Sequence, residues 1–432
     1  MKLILLLLLQ IPLLLAAVDI YVVNSGSGTL SHIDTETGIT DNAFAGLGSM
    51  ANRMALTQEK IYVVNSGDNT VQIIDRVSGN TLNYVYLESS ANPYDIVISG
   101  DHAYVSGTLR NKVYKLDLAG EVIISQALVG GNPQGLAVSG GKLYVGNTDY
   151  ASGYQNCSVS VLALDSFELL TTIPVEDNPQ FLLAAGDHVH VSCTGDWSGP
   201  LGKVCIIDTL TDEVVEVLDI GGYPGGLALA GNQTIYLGDS MNSGIYAYDA
   251  FTWEIFHDAS NPFLPGGSAV AGSADHLAVL GGNWGENFSL YLYDSQLIQL
   301  ATYTAGLYGT DVKLYTSDNS SGSGQMELSQ TIVCRNFPNP FFPASRRGSD
   351  YTRISFSWQN DTCPQPDVPA SISIYNIKGQ LIRKLAATTR GNTGETLWDG
   401  RNELGKTVEP GVYIYQLSLG GYSIFKKLTC LE

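Results

Sequence analysis

The sequence predicts an all-β protein, a seven-bladed β-propeller followed by a small β-sandwich. Three observations carry this. A short apolar strand ending in Asp recurs seven times at steps of 41 to 48 residues. Turn residues fall at matching offsets inside most repeats. The composition is rich in Gly (47) and Tyr (24) and only 15% charged, which suits many short strands and tight turns.

Met1-Lys2, the apolar run Leu3 to Leu15 and the small pair Ala16-Ala17 read as a secretory signal peptide over residues 1–17. The alternative is an uncleaved anchor. The run falls short of the ~20 apolar residues that a span needs. No later stretch is apolar enough to cross a membrane, so the mature chain is expected to hold no transmembrane span.

Residues 18–317 form the repeat region. The Asp strands are "TLSHID" to Asp34, "TVQIID" to Asp75, "KVYKLD" to Asp117, "SVSVLALD" to Asp165, "KVCIID" to Asp208, "GIYAYD" to Asp249 and "SLYLYD" to Asp294. A strand such as "IYVVNSG" or "LYVGN" precedes each. Before most of these comes a Pro-led strand such as "NPYDIVISG", and after the Asp comes a fourth, such as "NTLNYVYL". Val, Ile, Leu and Tyr on both faces suit strands sandwiched between neighbouring blades. Each Asp is expected to cap its own turn through a side-chain hydrogen bond. The mature chain begins at a second strand, so "GLYGTDVKLYTS" (Gly306–Ser317) is expected to supply the missing first strand and close the ring.

The units resemble the YVTN-type propeller repeats of exported bacterial proteins, on "IYVVNSGDNTVQIID" and its six relatives. That resemblance implies the fold and says little about function.

Residues 318–330 are a Ser/Gly-rich linker. Over 331–432, alternating strands with hairpin signals at Lys378-Gly379, Leu404-Gly405 and Gly420-Gly421 predict a β-sandwich. This segment resembles the FlgD-like immunoglobulin-type domain and the C-terminal sorting domains of type IX secretion. The matching residues are Asn339-Pro340-Phe341, Ile374-Tyr375-Asn376, Gly379-Gln380, Trp398-Asp399-Gly400, Gly405, Gly411-Val412-Tyr413 and Lys426-Lys427. The resemblance implies passage across an outer membrane through secretion machinery, then release or surface attachment. Cys334, Cys363, Cys430 and the "DTCPQPDVP" insert depart from the family pattern. A permanent accessory sandwich is the alternative.

Charge is uneven. Residues 1–315 hold 10 Lys and Arg against 32 Asp and Glu, a net of −22; residues 316–432 hold 12 against 10, a net of +2. A domain this acidic repels phosphate backbones, which argues against nucleic acid as a partner. Six cysteines in an exported chain permit disulfides. Cys193 and Cys205 lie on adjacent strands and are candidates for a pair, with Cys157 a competing partner for either and free buried thiols as the alternative.

Three links between second and third strands are long: 147–157, 193–203 and 281–288. They carry Tyr150, Tyr154, Asp196, Trp197, Trp284 and Glu286. Aromatic loops around a propeller mouth suit an extracellular protein or glycan ligand. The bland alternative is that the tryptophans only plug the loops onto the blades. Enzyme signatures are sparse: there is no G-x-S-x-G, H-E-x-x-H or phosphate loop, and no cofactor is implied. His188 and His190 have a spacing that can hold a metal, yet more often share a blade face with Tyr or Asp. The expectation is a non-catalytic binding module. The alternative is a lactonase-, lyase- or quinoprotein-like enzyme with its site at the central channel. Asn24, Asn65, Asn147 and Asp239 stand at equivalent positions after the second strands and more often tie turns together.

Overall fold

The computed structural model describes residues 18–199, 201–231, 233–283, 285–316, 332–337, 341, 351–358, 370–376, 378, 380–390, 393–419 and 422–431. The expected signal peptide and linker lie outside these residues. The chain divides into two compact units, 1–327 and 328–432.

The first unit contains seven four-stranded antiparallel sheets. Strands are numbered here from the channel outward. Blade 2 runs Ala51–Leu56, Lys60–Asn65, Thr70–Asp75, Thr81–Tyr86; blade 3 runs Pro93–Ser99, His102–Gly107, Lys112–Asp117, Val122–Leu128. Blade 4 runs Pro133–Ser139, Lys142–Asn147, Ser158–Ala163, Leu169–Pro174; blade 5 runs Pro179–Ala185, His188–Cys193, Lys203–Asp208, Glu213–Asp219. Blade 6 runs Pro224–Ala230, Thr234–Asp239, Ile245–Asp249, Ile255–His257; blade 7 runs Ala269–Gly272, His276–Gly281, Asn287–Asp294, Gln299–Leu307. Blade 1 joins the two ends of the unit. Its inner strand is Gly309–Tyr315, and Asp19–Asn24, Thr29–Asp34 and Ile39–Gly46 follow outward. The inner strand pairs antiparallel with Asp19–Asn24, with Val312 opposite Val22. Seven blades therefore close into a ring.

Second strands are buried on both faces, as in Lys60–Asn65, because each blade is covered by a neighbour on either side. Seven hydrophobic clusters follow, one at each blade junction. The cluster between blades 1 and 2, for example, joins Tyr21, Val23 and Leu30 to Met54, Ile61 and Val63. Fully burying a Val or Ile side chain contributes about 1.5–3 kcal/mol, so the ring is held mainly by repeated junctions and not by one central core.

The second unit is a seven-stranded all-β arrangement with strand order 1-2-5-4-3-6-7. Its strands are Ile332–Phe337, Thr352–Trp358, Ala370–Asn376, Leu381–Arg390, Thr393–Trp398, Gly411–Leu419 and Tyr422–Cys430. The fourth strand changes partner along its length. Leu381 to Ala387 pair with the third strand, and Thr388 to Arg390 pair with the fifth. It thereby folds the sheet around one core, centred on fully buried Trp398 with Phe341, Ile354, Ile374 and Tyr415. The Trp398 indole N–H donates to Arg401 O at 3.0 Å, so its polar edge is satisfied. The expected hairpin at Leu404-Gly405 is absent. That turn closes only an isolated bridge, Arg401 to Thr407, because the strands on either side of it pair with other neighbours.

Candidate functional site

Most of the repeated polar residues build the frame. Asp34 Oδ1 accepts the amides of Glu36 and Thr37, Asp208 Oδ1 those of Leu210 and Thr211, and Asp249 Oδ1 those of Phe251 and Thr252. Asp75, Asp117 and Asp294 make the same kind of bond, to Ser78, Gly120, and Gln296 with Ile298. Asp165 bonds only the adjacent Ser166 amide. Asn24, Asn65 and Asn147 end second strands and are fully buried. Their amides reach across to third-strand side chains: Ser31, Gln72 and Ser160. Asp239, in blade 6, accepts the amide of Tyr223 and the hydroxyl of Tyr246. These four positions tie turns and are committed to the scaffold.

The long loops carry side chains that the scaffold does not consume. All lie on the face where second strands pass into third strands, called here the loop face. In blade 4, Asp149 sits in the left-handed region and accepts both the amide and the side chain of Asn156, which closes the loop. Tyr150 stands 39% exposed at its tip. Burial, and then neighbouring Tyr154, push the Tyr150 hydroxyl pKa up. Tyr154 is half-buried, at φ 63°.

In blade 5, Asp196 accepts the amide and hydroxyl of Ser198, which hold its carboxyl below the usual range. Trp197 follows at φ 65°, a costly conformation for a bulky residue, of the order of 1–3 kcal/mol. Its ring stacks on Tyr223, centroids 5.4 Å apart and planes 13° apart, and it remains 40% exposed. The loops of blades 4 and 5 meet at the link 175–178. Asn178 N donates to Cys157 Sγ, and Gly195 N donates to Asp177 O. Burial raises the Asp177 carboxyl pKa, and Asp196 and Glu176 add to this. Tyr150 and Tyr154 thus stand on one loop, and Asp196 and Trp197 on the loop of the next blade. Glu286 lies apart on blade 7, where its carboxylate accepts the amide of Asn283. Trp284 lies outside the described residues.

Cys193 and Cys205 face each other at 3.8 Å between sulfurs, as free buried thiols. The pairing anticipated as one alternative is not formed, and Cys363 lies outside the described residues. His190 is fully buried, and its Nδ1 lies 2.8 Å from Tyr248 Oη. His188 packs edge-on to Trp253. Both histidines therefore serve the junction with blade 6. Among the described residues, no group of three His, Cys, Asp or Glu could hold a metal ion.

The channel holds charges that the turn pattern does not reveal. Arg53 of blade 2 lies over the Phe181 ring of blade 5 at 4.5 Å. These blades are not neighbours, so the contact spans the channel. Arg53 Nη1 lies 3.2 Å from Asp311 Oδ1, with side-chain exposures of 12% and 2%. Lys313 Nζ is 3.5 Å from the same oxygen, and Met54 N donates to the other one. Asp95 accepts Leu136 N from the next blade. Burial works against the Arg53 charge, yet Asp311, Tyr94 and Asp95 together raise its pKa. Burial pushes the Asp95 carboxyl pKa up, opposed by Arg53 and Lys313. Channel cations and carboxylates answer one another across blades 1 to 4. Turn spacing overlooked them because they sit on inner strands at one offset, as "TD", "NR" and "YD" in blades 1 to 3, with Gly or Phe at the same offset in blades 4 to 6.

No protein-family model and no curated protein sequence matches the chain. Solved structures do. One is Kuenenia stuttgartiensis hydrazine synthase, at 14% identity and TM-score 0.50, covering 65% of this chain and 94% of that one. Another is a functionally unknown protein from Desulfotomaculum acetoxidans, at 13% identity and TM-score 0.55, covering 68% and 98%. The Neurospora crassa Pan2 WD40 domain matches at 13% identity and TM-score 0.47, covering 60% and 79%. At these identities the first two likenesses show the propeller fold alone.

Proposed function

We propose that this chain is an exported propeller whose loop face, at blades 4 and 5, is a non-catalytic binding surface for an extracellular protein or glycan. One observation carries the reading: Trp197 is held at positive φ, stacked on Tyr223, with 40% of its surface still in water. A bulky ring kept in a strained, half-exposed position by a second ring is a ready-made stacking platform. Tyr150 and Tyr154 add two further aromatic rings on the blade 4 loop of the same face. The channel charges support binding over the enzyme alternative, because Arg53 and Lys313 pair with Asp311, and Asp311 and Asp95 accept inner-strand amides.

Export is read from the first 17 residues. The second unit is read as an immunoglobulin-type domain for secretion or surface attachment. Its buried Trp398, and Tyr413 edge-on to it at 5.5 Å, belong to the segments that carry that resemblance. The repeats are read as the YVTN type.

The test compares the full chain with Trp197→Ala and with the double variant Trp197→Ala/Tyr150→Ala on glycan and extracellular-protein arrays. Both side chains are partly exposed, so the variants are expected to fold. Retention by the parent chain should fall at least tenfold in the double variant. Equal retention of parent and double variant on every bound spot would reject the loop face as the binding surface.

A further inference from the structure

At the end of the blades opposite the loop face, a basic side chain bridges most junctions in the first half of the ring. Lys60 opens the second strand of blade 2, and its Nζ lies 2.7 Å from Glu121 Oε1 of blade 3. Lys142 opens the second strand of blade 4 and donates to Thr209 O at 3.0 Å and Asp212 Oδ2 at 2.6 Å in blade 5. Arg76 joins blade 2 to Asp19 of blade 1 at 3.3 Å and lies over the Tyr315 ring. Lys115 of blade 3 donates to Leu164 O of blade 4 at 3.0 Å.

Among the described residues, the junction of blades 6 and 7 has no such bridge. The position of Lys60 and Lys142 is taken there by Thr234. A cleft of about 260 Å³ opens at the place, and among the described residues no basic side chain lines it. Its acidic members are Asp249 and Asp294, 5% and 9% exposed. Asp249 is engaged by its turn and by Gln233 Nε2. Asp294 caps its turn through Oδ1, and among the described residues Oδ2 accepts no hydrogen bond. Apolar walls come from Tyr236, Phe256 and Leu297. Blade 6 has a fourth strand of only three residues, Ile255–His257, against six to nine in the other blades, so the cleft is less covered on its outer side.

We propose that this cleft binds a small alkylammonium ion, seated where a lysine side chain fills the equivalent junctions of blades 2–3 and 4–5. A lysine contributes an ammonium on a short apolar stem. Lys60 and Lys142 meet Glu121 and Asp212, four residues past the capping Asp of the next blade, where blade 7 has Ile298; the cleft instead offers the free Oδ2 of the capping Asp294 itself, beside Ser295 and the apolar walls. The net charge of −22 over residues 1–315 concentrates cations at such a place. The volume suits a ligand of a few heavy atoms, below the ~300–1,000 Å³ of drug-sized pockets. The site is independent of the loop-face reading and can fail or stand without it.

The experiment titrates butylammonium into the full chain and follows melting temperature at constant ionic strength, with sodium as control. A saturable rise is expected from butylammonium and not from sodium. Thr234→Lys should itself raise the melting temperature and abolish the response. Thr234→Val, which keeps the shape, should retain it. Should Thr234→Lys not fold, Phe256→Ala, at an exposed ring, should weaken the response at least threefold. Tighter binding of Nα-acetyl-lysine methylamide than of butylammonium assigns the site to a lysine side chain of a protein, and the reverse order to a free amine. No saturable response, or an undiminished one in folded Thr234→Lys, overturns the proposal.

Discussion

At Asp34, one carboxylate oxygen accepts two successive amides and so fixes the turn into the fourth strand. This role was legible in the sequence, because an Asp after an apolar strand and before a Gly or Asn turn has few other uses. The buried Asn positions were legible for the same reason. Arg53 and Tyr223 were not. Their partners, Phe181 and Trp197, sit on other blades, and no local pattern encodes a contact that depends on ring geometry. His190 carries a residue-scale consequence. Burial lowers its pKa from 6.5 to about 3, with a smaller contribution from His188. The folded protein holds this imidazole neutral, while the unfolded chain takes up a proton below pH 6.5. Its contribution to stability is therefore complete above pH 6.5 and is lost progressively as pH falls toward 3, up to about 4 kcal/mol. Denaturant titrations across pH 7 to 4 should show the decline. His190→Gln, which keeps a polar partner for Tyr248, should flatten it. An equally steep decline in the variant would assign the proton uptake to other groups.

At the scale of elements, the links between blades matter as much as the strands. Gly130, in the link into blade 4, lies against the buried amide of Asn147, and a Cβ there would stand 2.6 Å from Asn147 Cγ and Nδ2. Gly48 meets Asn65 in the same way in blade 2. The link amides of Gly130 and Gly48 donate to the third-strand side chains Ser160 and Gln72 that the Asn amides also reach, so link and Asn crowd together only if the link has no side chain at this point. Gly130→Ala should cost about 1–3 kcal/mol by overpacking, read as a lower denaturation midpoint with an unchanged m-value. A neutral result would show that Asn147 can move aside without loss. Strand existence and order were readable from apolar runs and turn residues. A cleft that depends on differences between repeats, such as Thr234 where blades 2 and 4 have Lys60 and Lys142, follows from the packing of two blades and not from the pattern of one.

At the scale of the molecule, a ring of seven junction cores needs its ends joined, because an unpaired inner strand would leave both a junction and a sheet edge exposed. The phase of the repeats already implied where the closing strand must come from, since the first repeat lacks its inner strand. Gly309–Tyr315 pairs with Asp19–Asn24, and Val312 and Leu314 enter the cluster shared with blade 7. Arg53 and Asp311 add an ionic contact between the closing strand and blade 2. The loop face and the cleft of blades 6 and 7 both depend on that closure for their shape. Hydrogen exchange on the full chain, read by peptide mass spectrometry over 19–24 and 309–315, tests it most directly. Closure predicts that both segments are as slow as Lys142–Asn147 in the middle of the ring and open with it. Exchange of 309–315 at the rate of an unstructured peptide, while Lys142–Asn147 stays protected, would contradict the closed seven-bladed ring.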